Sequence, residues 1–168
     1  TTTNSASSDA GANDVFFSPT DASVPPRLLL DMDVGIWETE FSRDGEWLVV
    51  RADDQASFGD IYTRRLRGDT TLAMIYSDSS FNTQIAISPD SRWLAFTSDH
   101  SGRAEIYVAS FPDMQVKYPV SQGGGTEPRW ARNGRELFFK SRGKLMALPV
   151  AAGAGFAPGN ARPLFSVA

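Results

Sequence analysis

The sequence predicts an all-β fold made of repeated four-stranded antiparallel sheets. A turn followed by an apolar strand occurs three times, in FSRDGEWLVV (41–50), ISPDSRWLAF (87–96) and WARNGRELFF (130–139). When the three turns are aligned, the spacings are 46 and 43 residues, a period typical of one supersecondary unit per repeat. Glycine and proline interrupt the chain throughout, and helical spacing of apolar residues is not sustained in any segment.

Each repeat contains the signals of four short strands. The turns are Asp44-Gly45, Asp90-Ser91 and Asn133-Gly134, dipeptides that tolerate the positive φ of a tight hairpin. The strands that follow are rich in β-formers and cover 47–50, 93–96 and 137–139. A second apolar segment comes after a polar loop, at 60–62, 105–107 and 144–146. A last short segment closes each repeat, at 72–76, 116–120 and 162–167.

The head of the chain matches the second half of a repeat. Residues 14–17 correspond to a third strand and residues 27–31 to a fourth strand. A four-stranded sheet cannot bury both of its faces alone, so successive sheets must stack, and radial stacking produces a β-propeller. The predicted fold is a partial β-propeller of about three and a half blades. Its parts are a flexible leader or remnant strand (1–13), a half-blade (14–33) and three blades (34–78, 79–122 and 123–168).

The repeat also resembles a known family. The run SPDSRWLAFTSDHSGRAEIYVASF (88–111) is similar to the repeat of TolB-like propellers of the six- or seven-bladed type, with a Ser-Pro-Asp-Gly hairpin, an Ala-Phe strand and an Ile-Tyr strand. More narrowly, residues 87–168 resemble propeller regions that follow bacterial serine/threonine protein kinase domains, through SGRAEIYVASFP, VSQGGGTEPRW and RNGRELFFKSRGKLMALPV. The Ser-Pro pair is replaced at Arg43 and at Ala131-Arg132, although the hairpin signal remains. The resemblance implies the fold and, if the kinase link holds, an extracytoplasmic sensor region.

Composition excludes several classes of function. The 168 residues carry a net charge of -4, and lysine and arginine form no run, so a nucleic-acid surface is not expected. There is no cysteine, and no apolar run approaches the length that crosses a bilayer. The head, TTTNSASSDAGAND, is neither basic nor apolar enough for a signal peptide, and the chain does not begin with Met. We therefore expect a processed or excised piece of a longer protein.

The sequence contains few residue patterns typical of catalytic sites. Ser98-Asp99-His100 contains the three residue types of a hydrolytic triad, but consecutive strand residues point to opposite faces and cannot assemble one. Gly123-Gly124-Gly125 lacks the following Lys and helix of a phosphate-binding loop and is interpreted as a flexible connector. Asp53-Asp54, and Asp31 with Asp33, match no calcium loop, and a weak calcium site between loops is the alternative. The prediction is a non-enzyme without cofactor or metal.

One recurrent set of polar residues indicates a binding site. Glu38, Gln84 and Glu127 stand three residues before the apolar anchors of the first strands, and Glu40, Ala86 and Arg129 follow two positions later, on the same face if alternation holds. Around a common axis these side chains would form an arc at the channel mouth that could hold a cation, a basic peptide end or a sugar. The alternative is a set of solvated channel residues. Trp37 has no counterpart and either contacts a partner or packs at the rim.

These observations favour a non-catalytic binding or interaction module of a larger bacterial protein, such as a receptor serine/threonine kinase. The expected partner is a protein or peptide, and a second copy of the chain could close the ring. Two alternatives remain open: the substrate-gating propeller of a prolyl-oligopeptidase-type serine peptidase, and a TolB-type envelope protein. The expected location is extracytoplasmic or periplasmic, with the cytoplasm as the other possibility.

Overall fold

The computed structural model of the chain describes residues 2–3, 13–53, 58–151, 153 and 155–167. Within these ranges every element is a β-strand, and antiparallel pairing joins the strands into one three-stranded and three four-stranded sheets. The prediction of an all-β chain of four-stranded antiparallel blades is confirmed. No helix among these residues is long and apolar enough to span a membrane.

The strands pair in chain order within each sheet. The leading sheet contains β1 (Thr2–Thr3), β2 (Asn13–Phe17) and β3 (Arg27–Met32). The first blade contains β4 (Gly35–Phe41), β5 (Trp47–Asp53), β6 (Asp60–Arg65) and β7 (Ala73–Tyr76). The second blade contains β8 (Asn82–Ile87), β9 (Trp93–Ser98), β10 (Glu105–Ser110) and β11 (Lys117–Pro119). The third blade contains β12 (Thr126–Trp130), β13 (Glu136–Ser141), β14 (Lys144–Pro149) and β15 (Arg162–Ser166).

At the head of the chain, the expected leader lies mostly outside the described residues, because the structure leaves out residue 1 and residues 4–12. Thr2 and Thr3 pair with Phe17 and Phe16 of β2. β2 and β3 form the hairpin expected for the outer half of a blade, and β1 lies on the side of β2 that a second strand would occupy.

The three hairpins confirm the turn prediction. Gly45, Ser91 and Gly134 have φ values of 71°, 56° and 70°, the left-handed conformation that the second residue of each dipeptide was expected to tolerate. In the first two turns a serine hydroxyl donates to the turn aspartate, as Ser88 does to Asp90 at 2.6 Å. The third hairpin closes without such a serine, through the Ala131 amide and the Glu136 carbonyl at 2.8 Å. The hairpin geometry is therefore kept where the Ser-Pro motif is lost.

Face-to-face stacking of the sheets buries three apolar clusters, one at each junction between successive sheets. Leu48, Leu94 and Leu137 occupy the same position of β5, β9 and β13, and each is fully buried. Trp47 packs edge-on against Phe111 of the following blade, with ring centroids 5.4 Å apart. The innermost strands β4, β8 and β12 lie side by side, so the blades share one central edge.

Candidate functional site at the innermost strands

Bulges at the start of the innermost strands position the predicted polar residues. In β8, Thr83 pairs with Thr97 and Ala86 with Ala95, so two residues, Gln84 and Ile85, lie opposite one. β12 has the same irregularity between Thr126 and Arg129. Gln84 and Glu127 adopt φ values of 58° and 56°, a conformation unusual for residues with a side chain. The bulges turn their backbone N–H groups away from the strand ladder.

The expected face alternation therefore holds in one strand only. In β4 the pairing is regular from Glu38 to Glu40, so these two carboxylates share a face. The bulge of β4 lies one residue earlier, at Trp37. In β8 and β12 a bulge separates the first predicted residue from the second, and strict alternation fails there because an extra residue is inserted.

Glu38 joins the first blade to the second. Its Oε1 accepts hydrogen bonds from the Thr83 hydroxyl at 2.7 Å and from the Gln84 amide at 2.7 Å, and its Oε2 accepts one from the Ile85 amide at 3.0 Å. The two amides belong to the bulge of β8. A carboxylate is suited to this position, since charge-assisted hydrogen bonds are stronger than neutral ones.

Gln84 repeats this arrangement one blade further on. Its side-chain Oε1 accepts from the Glu127 amide in β12 and from the Thr97 hydroxyl, both at 2.8 Å. We call the contact from a side chain at this repeat position to the bulge amide of the next blade the inter-blade bond. Glu127, the third member of the series, is exposed, and its carboxylate accepts from Lys140 of its own blade at 2.9 Å.

The first two residues of the predicted arc thus connect blades. Arg51 adds a second connection that the sequence reading missed: its Nε donates to the Asn82 carbonyl of the second blade at 2.9 Å, and it forms an ion pair with Asp53 at 2.7 Å. Trp37 and Phe81 lie over this guanidinium, with ring centroids 6.0 and 5.1 Å from its Cζ. Trp37 is 64% exposed and therefore lies outside the core.

The second predicted row lines a cavity that touches all three innermost strands. Its volume is about 300 Å³, and Glu40, Ala86 and Arg129 contribute to its wall. Three arginines line it, because Arg43 and Arg132 from the hairpins join Arg129. Arg43 donates to the Arg132 carbonyl at 2.8 Å, which connects the first and third blades across the second. We call this cavity the arginine pocket.

Glu40 is the one carboxylate among the described residues that line the arginine pocket. Burial raises its pKa; the nearby Arg129 charge opposes this rise, and the Glu38 charge adds to it. Ala86 stands at the equivalent place of the second blade and has a short side chain, which leaves space between Glu40 and Arg129. The pocket therefore combines an excess of fixed positive charge with an opening of small-ligand size.

Among the described residues, a serine and an aspartate lie near the ring of His100. Ser80 and Asp78 both approach the same nitrogen of His100, Nδ1, at 3.4 and 3.6 Å. A triad requires the acid and the nucleophile on opposite ring nitrogens, so these three residues do not form one. In the part of the chain that the structure describes, no group of three or more His, Cys, Asp or Glu residues could hold a metal ion.

The glycine-rich connector between the second and third blades is held by a buried acid. Glu105 accepts hydrogen bonds from the Gly123 and Gly124 amides at 2.7 and 2.9 Å, and from the Ser121 hydroxyl. Burial alone would raise the pKa of Glu105, but the bonds from Ser121, Gly124 and Gly123 and the Arg103 charge outweigh it and lower this pKa. The Gly123 and Gly124 amides thus donate to a carboxylate of the protein itself, and this contact holds the connector in place between the blades.

Stacked four-stranded sheets around shared innermost strands define a segment of a β-propeller. Proteins of the TolB type are among those that it resembles. No protein-family model matches the sequence. The chain is 28% identical over 86 residues to the protein TolB homolog of Chlorobium luteolum (strain DSM 273 / BCRC 81028 / 2530), which is 51% of this chain and 20% of that protein.

Solved structures show the same fold. TolB from Acinetobacter baumannii matches 92% of this chain with a TM-score of 0.73 and 21% identity, and a TolB-type structure from Agrobacterium tumefaciens matches 94% with 0.71 and 18%. The chain spans 38% and 58% of those two structures. Puromycin hydrolase matches 90% with a TM-score of 0.60 and 14% identity. The chain folds as a TolB-like β-propeller segment.

Proposed function

We propose that this chain is a non-catalytic binding module of a larger bacterial protein and that it binds an acidic group of a protein or peptide in the arginine pocket. The observation that carries the proposal is the position of Arg43, Arg129 and Arg132 around one cavity at the shared innermost strands. Arginine suits this role because its planar guanidinium can bind a carboxylate through two parallel hydrogen bonds.

The chemistry of the pocket favours an anion over the cation or basic peptide end that the sequence suggested. Glu38 and Gln84 are occupied by inter-blade bonds, so neither is available to a cationic ligand. The described residues that line the arginine pocket include three positive side chains and one carboxylate, Glu40, whose pKa is raised by burial. An acidic side chain or a chain-terminal carboxylate fits this balance of charge.

A pair of peptides tests the proposal. A terminally blocked tetra-aspartate peptide should bind the chain in isothermal titration calorimetry at low salt, and a tetra-lysine peptide should not. Arg129→Ala should weaken the binding of the aspartate peptide by about tenfold, because one charged contact is lost. Arg67→Ala is the matched control, since Arg67 is exposed and lines a different cavity. Equal binding of both peptides, or equal losses in the two variants, would contradict the proposal.

We infer the context of the module from the sequence resemblance to kinase-linked propellers: an extracytoplasmic sensor region of a receptor serine/threonine kinase. The structural likeness to puromycin hydrolase, which matches 90% of this chain with a TM-score of 0.60, supports the substrate-gating propeller of a peptidase as the second candidate. The two candidates differ in the polypeptide around the segment. A kinase domain and a membrane helix before residue 1 would support the sensor, and a hydrolase domain after residue 168 would support the peptidase.

A further inference from the structure

A second cavity adjoins the arginine pocket. It lies between the hairpins of the second and third blades and has a volume of about 330 Å³. Two tryptophans border it, and we call it the tryptophan cavity. The described residues that line it include Pro89, Trp93, Trp130, Arg132, Arg135 and Val150. Pro89, Trp130 and Arg132 also line the arginine pocket, so the two cavities lie side by side.

The two tryptophan rings are held in place by contacts inside the protein. Trp130 Nε1 donates to the Ala86 carbonyl at 3.1 Å, so the polar atom of this ring has its hydrogen bond. The Trp93 ring packs against Phe156, with ring centroids 5.4 Å apart. Both tryptophans are only partly buried. Each therefore presents a fixed apolar surface at the tryptophan cavity.

In the first blade, the tryptophan at the same repeat position is covered. Arg65 pairs with Trp47 across β5 and β6, and its guanidinium Cζ lies 4.5 Å from the centroid of the Trp47 ring. In the second blade, Ser110 takes the place of Arg65 opposite Trp93. A serine side chain is too short to cover an indole ring. The Trp93 ring therefore lacks the arginine that packs on its counterpart.

The charges at the tryptophan cavity favour the same kind of ligand as those at the arginine pocket. Asp90 in its wall already forms an ion pair with Arg92, at 2.8 Å. Arg132 and Arg135 add two exposed positive side chains. The tryptophan cavity thus combines apolar ring surface with a positive rim. A peptide that carries both acidic and apolar side chains complements this combination, whereas a lysine-rich peptide would be repelled.

We propose that the tryptophan cavity binds an aliphatic or aromatic side chain of the same peptide whose acidic side chain occupies the arginine pocket. This inference rests on the proposed function, because the acidic side chain fixes where the peptide lies. In an extended peptide, side chains two positions apart point to the same side and are separated by about 7 Å, which suits two cavities with shared wall residues. The preferred ligand therefore has an apolar residue two positions before or after an acidic one.

Three terminally blocked peptides test the proposal on the unmodified chain. The first is Phe-Gly-Asp-Asp-Asp-Asp-Gly-Phe, the second has serine in place of phenylalanine, and the third has asparagine in place of aspartate. In isothermal titration calorimetry at low salt, the first should bind about tenfold more tightly than the second, since burial of one large apolar side chain has an effect of this order. The third should bind far more weakly than the first, because the arginines lose their charged ligand.

Ala151→Trp tests where the phenylalanine binds. Ala151 is exposed and lines the tryptophan cavity, so an indole ring at this position should fill part of the cavity and remove most of the preference for phenylalanine over serine. Ala161→Trp is the matched control, because Ala161 is exposed and lines a different cavity. This control should keep the preference. Circular dichroism checks that both variants are folded.

The outcomes separate this inference from the proposed function. Equal binding of the phenylalanine and serine peptides would overturn the inference alone and leave the acidic ligand of the arginine pocket in place. Failure of both aspartate peptides to bind would refute the proposed function and the inference together. A preference for phenylalanine that is as large in Ala151→Trp as in Ala161→Trp would assign this side chain to another surface and overturn the inference. Equal binding of the first and third peptides would contradict the required acidic residue.

Discussion

Replacing Glu38 by alanine should destabilise the contact between the first two blades more than the replacement of an exposed acidic residue does. The carboxylate accepts three hydrogen bonds, from Thr83, Gln84 and Ile85. Its removal leaves two backbone N–H groups without their acceptor, and Ile85 is only 4% exposed. An unsatisfied buried donor costs about 1–3 kcal/mol, and water reaches part of this site because the Glu38 side chain is 26% exposed. We therefore expect a loss of about 3 kcal/mol in the free energy of unfolding.

Urea unfolding followed by tryptophan fluorescence measures this loss. The matched control is Glu127→Ala at the equivalent repeat position, which removes an exposed ion pair with Lys140 and should cost about 0–1 kcal/mol. The free energy of unfolding of Glu38→Gln should lie between those of the wild type and Glu38→Ala. An amide oxygen can still accept a hydrogen bond from one bulge amide, as the side-chain oxygen of Gln84 does. If Glu38→Ala costs no more than Glu127→Ala, the inter-blade bond is not a stabilising contact and the reasoning is refuted.

Three further predictions concern pH and backbone geometry. Because the pKa of Glu105 is lowered in the fold, its ionised form stabilises the fold at pH values above the ordinary pKa of 4.5, and this contribution is lost as the pH falls through the folded-state pKa. Glu105→Gln should therefore lower the free energy of unfolding at pH 7 and make it less dependent on acid pH, as measured by urea unfolding at several pH values. The raised pKa of Glu40 has the opposite sign, so Glu40→Gln should raise the melting temperature at pH 7 and have no such effect well below pH 4.5. Gly59→Ala should lower the melting temperature several-fold more than Gly68→Ala. A Cβ at Gly59 would lie 2.1 Å from the Asn82 carbonyl oxygen, whereas a Cβ at Gly68 would meet no atom within 4 Å.

The repeat could be predicted from the sequence because its signals are local. A turn dipeptide such as Asp90-Ser91 needs only its own backbone conformation, and the strand that follows needs only apolar β-formers. These features recur with a regular period, so strand order and blade stacking follow with few alternatives. The third hairpin shows that the turn tolerates loss of the serine, since its backbone bond between Ala131 and Glu136 is kept.

The candidate site was predictable in position but not in role. Recurrence located Glu38, Gln84 and Glu127, yet the bulges that decide where their N–H groups point depend on pairing with a neighbouring strand. Arg51 was missed because its partner, the Asn82 carbonyl, lies 31 residues away and in another blade. The arginine pocket was missed for a similar reason: Arg43 and Arg132 come together only when the first and third hairpins meet.

Each inter-blade bond runs from a backbone amide to a side chain of the preceding blade, and this arrangement affects how a repeat can be added by gene duplication. The Gln84 amide donates to Glu38 of the preceding blade, and the Gln84 side-chain oxygen accepts from the Glu127 amide of the following blade. A gene duplication of one 43- to 46-residue period would copy the donor and the acceptor together. The new unit could then form the inter-blade bond with the blade on each side without any compensating mutation. This architecture therefore accommodates lengthening by whole periods, whereas insertion of a partial period would leave an inter-blade bond without its donor or its acceptor.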